Sequence, residues 1–164
     1  MTGHLPKQVE NFKNLNKANI AIIASSWHSE IIDQMINSSK ELLEKLDASS
    51  ISVHSLPGSL ELPLAAKILF SKNDKLDAII AFGVILKGDT THNETVEREV
   101  ANGFTLVSQE FSKPIINEVI GVSDIKFAAQ RAQSKGIEAV YAVSEFLNWQ
   151  HKDHRGNYET QRNK

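Results

Sequence analysis

Trp27, Glu61, His92 and Arg131 are the side chains of this 164-residue sequence best suited by type and neighbourhood to do chemistry. Trp27, in S-S-W-H-S-E, offers an indole that either covers a core or stacks on a flat heterocycle. Glu61 follows the Pro57-Gly58 turn, where a carboxylate caps a helix or accepts hydrogen bonds from hydroxyls. His92 ends the run Lys87-Gly88-Asp89-Thr90-Thr91-His92. There a glycine turn and a helix start expose backbone N–H groups, and the helix dipole alone favours a phosphate by roughly 0.3 to 1 kcal/mol. The same stretch also reads as an ordinary capped helix, with the Thr91 hydroxyl at the N-cap and Glu94 three residues on. His92 in that first turn is either structural or an imidazole able to move protons. Arg131, read as lying near the end of its helix, either grips an anion bidentately or complements the helix dipole.

Other chemistries have little footing. The chain has no cysteine, which removes disulfides, thiolate metal sites and a Cys nucleophile together. Neither G-x-G-x-x-G nor a lysine-bearing phosphate loop occurs near the strand ends, so no dinucleotide or P-loop site is expected. His151 and His154 have the i, i+3 spacing of a metal pair but no further placed ligands, so no metal is expected there. A net charge of -2 gives no reason to expect nucleic acid or membrane surfaces as partners. Met1 to Lys17 lacks the apolar core of a signal peptide and no run is long enough to span a bilayer, which makes the cytoplasm the expected location.

The elements that must position these residues follow from periodicity. Asn19 to Ala24 and Leu76 to Leu86 are nearly continuous apolar runs, the pattern of strands buried on both faces. Ile51 to Leu56 alternates, and Pro114 to Val122 reads as a fourth strand. Between them, Ile31 to Leu46, Leu62 to Phe70 and Val96 to Phe111 carry apolar residues at helical spacing. Ser123 or Asp124 caps a last helix that Gly136 is expected to break, with helical periodicity resuming from Ile137 to Trp149. Strands alternating with helices predict a three-layer αβα domain on a four-stranded parallel sheet, whose ligands bind beyond the carboxyl ends of the strands. Residues 1–17 read as a polar arm rather than core, 18–149 as the domain, and 150–164 as a polar tail.

Taken in order, S-S-W-H-S-E-I-I, P-G-S-L-E-L-P, G-V-I-L-K-G-D-T-T-H, P-I-I-N, Q-R-A and K-G resemble the lumazine synthase family over about Asn19 to Leu147. The P-G-x-x-E-[IL]-P and [KR]-G-x-T-x-H elements carry most of that resemblance. It implies a flavodoxin-like strand order 2-1-3-4. It also implies a transferase of riboflavin biosynthesis that needs no cofactor and condenses 5-amino-6-(D-ribitylamino)uracil with L-3,4-dihydroxy-2-butanone 4-phosphate. By the same resemblance Trp27 stacks on the pyrimidine. Ser59, Leu60 and Glu61 hold the ring and ribityl chain, and Ile85 and Leu86 offer backbone contacts. Gly88, Asp89, Thr90 and Thr91 form the phosphate-side loop, and His92 transfers protons. Arg131, the phosphate-binding arginine, is supplied by a neighbouring subunit, as are Asn117 and Lys135. A homo-oligomer is implied, a ring of five or a multiple of it, with riboflavin synthase as a further partner.

Departures from the pattern are His28 for a common Asn, Asn93 for an aromatic and Glu118 for a small residue, with a shorter stretch between Arg131 and Lys135. The rival readings are a non-catalytic lumazine- or flavin-binding or assembly protein of the same fold, and an unrelated flavodoxin-like module. A pure scaffold has no physical need to keep Trp27, Glu61, His92 and Arg131 together.

Overall fold

The two apolar runs form the central strands, since a strand covered on both faces needs apolar side chains pointing both ways. In the computed structural model, which describes residues 12–89 and 91–152, β1 (Asn19–Ser25), β2 (Ser50–Leu56), β3 (Ala78–Leu86) and β4 (Ile115–Val122) build one parallel sheet in the order β2-β1-β3-β4. The helices are α1 (Ser29–Lys45), α2 (Leu62–Lys72), α3 (His92–Phe111) and α4 (Ile125–His151), and a 3-10 turn, Ser59–Glu61, leads into α2. Side-chain alternation divides the core into two halves. Ile20, Ile22 and Ala24 of β1 pack with Ile80 and Phe82 of β3 under α1 and α4, while Ala21, Ile23, Ile79 and Ala81 pack under α2 and α3. This is the expected three-layer α/β arrangement and strand order.

The last helix departs from expectation. Gly136 does not break it: α4 runs uninterrupted for 27 residues and ends at His151, two residues beyond the periodic stretch. A helical glycine costs only about 1 kcal/mol relative to alanine, and here the missing side chain is what lets two helices meet. A Cβ on Gly136 would collide with the Met35 carbonyl oxygen and the Ser38 hydroxyl of α1 and lie 3.1 Å from Ser39 Oγ. Ser39 Oγ in turn donates to the Gly136 carbonyl at 3.1 Å. Ala128, Ala132 and Ala139 continue the buried small-residue face of α4. Gly136→Ala is therefore expected to destabilise the fold by about 1–3 kcal/mol through overpacking, against the gain of about 1 kcal/mol that helix propensity alone would give. Urea denaturation reads the sign, and a stabilised variant would disprove the close contact.

Arg131 is the seventh residue of α4, in its second turn, not near its end. Thr91 stands at the N-cap of α3 as expected, yet its hydroxyl makes no capping bond. Its backbone (φ -78, ψ 8) lies outside the extended region from which an N-cap side chain reaches back to the first turn. Leu15, within the polar N-terminal stretch, is buried in the core, and its N–H donates to the Leu46 carbonyl at 2.9 Å. Asp124 does cap α4, its Oδ1 accepting from the Lys126 N–H at 2.9 Å. Residues 1–11 of the arm, 153–164 of the tail with His154, and Thr90 lie outside the described residues.

Candidate active site

The carboxyl ends of β1 and β3, the turn before α2 and the start of α3 enclose a cavity of about 370 Å³. Trp27, Ser59, Leu60, Glu61, Ile85, Leu86 and His92 all line it, so seven of the residues singled out by sequence converge on one hollow. Ser25, His28, Gly58, Val84 and Val96 complete its wall.

Local chain geometry sets each group. Trp27 follows β1 and leaves its indole 68% exposed, open to stacking rather than sealed in the core. The bend behind it is made by His28, whose backbone is left-handed (φ 58, ψ 46) and whose carbonyl accepts from the N–H groups of Ile31 and Ile32. Trp27 and His28 also border a second hollow with Ser26, Ser29 and Ile125, so the indole stands between two open volumes. Ser59 is buried over β3: a Cβ on Gly83 would lie 2.8 Å from its hydroxyl oxygen. Gly58 does the same for Glu61, whose Oε2 occupies the space 2.9 Å from where a Gly58 Cβ would be. The two glycines thus admit the hydroxyl and the carboxylate to the cavity wall. His92 is the first residue of α3 and exposed, with Val96 one turn behind it.

The loop from Lys87 to Asp89 is exposed and tied back by the Lys87 N–H donating to the Val122 carbonyl at 2.8 Å. Gly88 has no positive φ, and a Cβ there would meet nothing within 4 Å. The fold does not demand this glycine; a bare, approachable backbone is what it provides. Gly88, Asp89 and Thr91 stand beside the cavity without lining it.

Asn117, Arg131 and Lys135 belong to β4 and α4 and do not reach this hollow. Asn117 lines a separate one with Phe104, Thr105 and Ser108 of α3. Arg131 is exposed on α4. Lys135, one turn on, is largely buried between two carboxylates, Glu118 Oε2 at 3.1 Å and Glu138 Oε2 at 2.7 Å. Burial pushes the Glu118 carboxyl above its usual range despite the opposing pull of Lys135 and Arg131. Burial pulls the Lys135 ammonium down, but its hydrogen bond to Glu138 and the charge of Glu118 outweigh that and leave it raised.

Ser25, Gly58, Val84 and Val96 were not among the site residues read from sequence. Strand parity points to Ser25, two residues past the buried Ile23, and helix spacing to Val96, four past His92. Among the described residues no group of three or more His, Asp or Glu is arranged to hold a metal ion, and no helix is long and apolar enough to cross a membrane.

A family model described as 6,7-dimethyl-8-ribityllumazine synthase matches residues 17–151. A protein of that name from Leuconostoc mesenteroides subsp. mesenteroides is 35% identical over 135 residues, 79% of this chain and 86% of the relative. One from Streptomyces coelicolor is 33% identical, covering 80% of this chain and 84% of its own. A third, from Chlamydia muridarum, is 34% identical over 71% of this chain and 76% of its own.

Proposed function

We propose a division of labour at this site from one premise: the chain belongs to the 6,7-dimethyl-8-ribityllumazine synthase family and acts as a lumazine synthase, a transferase of riboflavin biosynthesis. It joins 5-amino-6-(D-ribitylamino)uracil to L-3,4-dihydroxy-2-butanone 4-phosphate and releases phosphate and water. Amine and ketone form an imine with loss of one water, loss of phosphate gives an enol that tautomerises to a carbonyl, and the ribityl-bearing nitrogen closes the ring on that carbonyl with loss of a second water. Proximity supplies much of the acceleration, because two bound reactants behave as one molecule.

The convergence of Trp27, Ser59, Leu60, Glu61, Ile85, Leu86 and His92 on one cavity carries the reading of this site. In it the Trp27 indole covers the pyrimidine, Ser59 and Glu61 take hydrogen bonds from the ring and ribityl chain, and the backbone at Ile85 and Leu86 fixes the ring edge. Backbone N–H groups of Gly88, Asp89 and Thr91 serve the phosphate, and His92 moves protons between the reacting atoms. Arg131 and Asn117 complete the site of an adjacent copy in a ring of five or a multiple of it. Their position away from the cavity of their own chain favours that arrangement. The protein works in the cytoplasm, where it can pass its product to riboflavin synthase.

Formation of the lumazine chromophore from the two substrates tests the activity itself. Arg131→Ala is expected to weaken capture of the ketone phosphate about ten- to a hundredfold, the loss of a charge-assisted anion contact. Assayed at ketone phosphate well below the KM of Arg131→Ala, that variant and a Trp27→Ala/His92→Ala variant each turn over little, and they should complement when co-assembled. With equal random mixing, about one quarter of the interfaces pair two intact sides. No rise in verified mixed rings would mean that Arg131 does not serve a neighbouring site.

A further inference from the structure

The wall of the cavity holds a buried hydroxyl that the roles above leave unused. Ser25, the last residue of β1, is 1% exposed and lines the cavity, and its Oγ has no hydrogen-bond partner among the described residues. It is the sole buried side-chain nitrogen or oxygen of the described residues in that condition. Strand alternation sets its side chain on the α2/α3 face, since Ala21 and Ile23 pack there while Ile22 and Ala24 pack on the opposite one. Ser59 and Glu61, which enter the cavity through the turn before α2, belong to that same side. Its neighbour Ser26 is already engaged, donating from Oγ to the Pro57 carbonyl at 3.2 Å and from its N–H to the Leu56 carbonyl at 2.8 Å.

A hydroxyl kept from water without a partner is costly, about 1–3 kcal/mol. An alanine would fill nearly the same space in β1 without that cost. We propose that Ser25 is a further substrate-binding residue, whose hydroxyl is completed by a hydrogen bond to the polyhydroxylated aminopyrimidine seated against Ser59 and Glu61. The proposal rests on the functional reading above and deepens it. The ketone phosphate is the poorer fit for this corner of the site, because the carboxylate of Glu61 repels a phosphate while accepting from hydroxyl and N–H donors. The exposed backbone at the start of α3 suits the anion instead.

Steady-state kinetics of Ser25→Ala with each substrate varied in turn decide the matter. The expected result is a KM for ribitylaminouracil raised about three- to tenfold, the worth of one net hydrogen bond. The KM for the ketone phosphate should stay within twofold of wild type, and the melting temperature should be unchanged or higher. Two unchanged KM values would overturn the proposal. So would a lowered melting temperature with no selective change in KM, which marks a hydrogen bond made within the protein. If the wild-type protein formed no lumazine at all, the functional reading would fail separately. Titration of ribitylaminouracil against Trp27 fluorescence in a Trp149→Phe background would then still report on Ser25. Equal affinity in the presence and absence of the hydroxyl would refute its role, and a three- to tenfold loss would uphold it.

Discussion

His92→Ala is expected to slow lumazine formation by about 10² to 10⁴ at saturating substrates, and not to abolish it. The lower bound on the damage comes from losing a positioned proton-transfer group. The residual rate comes from the rest of the site, because Trp27, Ser59 and Glu61 line the same cavity and, in the roles proposed for them, still hold one reactant beside the other. His92 is exposed at the first position of α3, so its removal opens no cavity and should leave the melting temperature close to wild type. A variant that keeps the full rate with both substrates saturating would remove His92 from the chemistry, whatever its effect on KM.

Lys135→Met is expected to cost about 3 kcal/mol of stability near neutral pH, the low end of the range for breaking a buried ion pair, since the three side chains keep some contact with water. What remains is Glu118 facing Glu138 across a largely buried space without the cation between them. The loss should shrink in acid. Burial already raises Glu118, so folding favours its protonated form: that contribution is present below the usual value of 4.5 and fades as pH climbs through the raised one. In the variant, protonation of Glu118 relieves its repulsion with Glu138. In the wild-type protein, Lys135 is raised above 10.5, so its contribution is fully present below that pH and disappears as pH rises through the shifted value. Urea denaturation at several pH values measures both trends. A Glu118→Leu/Lys135→Met/Glu138→Leu variant should recover much of the loss, because uncharged replacements of similar volume carry no unpaired charge. A Lys135→Met protein as stable as wild type at neutral pH would mean that the three groups do not act as a buried cluster.

The sheet was legible because N-I-A-I-I-A and A-I-I-A-F-G-V-I-L leave no polar face for a surface helix to show water, and their short length and richness in isoleucine favour buried strands over a buried helix. The cavity was legible for a related reason. Ser25, Pro57-Gly58 and Lys87-Gly88 mark where strands end, and in a parallel sheet those ends lie side by side. Gly136 was misread because a helical glycine looks the same in sequence whether it stops a helix or admits a neighbour, and only the approach of α1 distinguishes the two. Lys135 presents the same difficulty. Its i, i+3 partner Glu138 is visible in sequence, whereas Glu118 reaches it from β4, far away along the chain. The free hydroxyl of Ser25 is equally invisible in a string of letters, because a partnered and an unpartnered serine are written alike.

The unbroken course of α4 has a consequence for which changes in length this chain can tolerate. Each residue turns the helix by about 100°, so a single insertion between Arg131 and Gly136 would swing the small-residue face off α1 and bring bulkier side chains against Met35. Every residue downstream, out to Trp149, would rotate with it. Changes of about four or seven residues nearly restore the angular phase, though they shift the far end of the helix by about 6 or 10 Å along its axis. Length variation in this segment is therefore confined to steps close to whole helical turns, unless the helix itself is interrupted to absorb the difference.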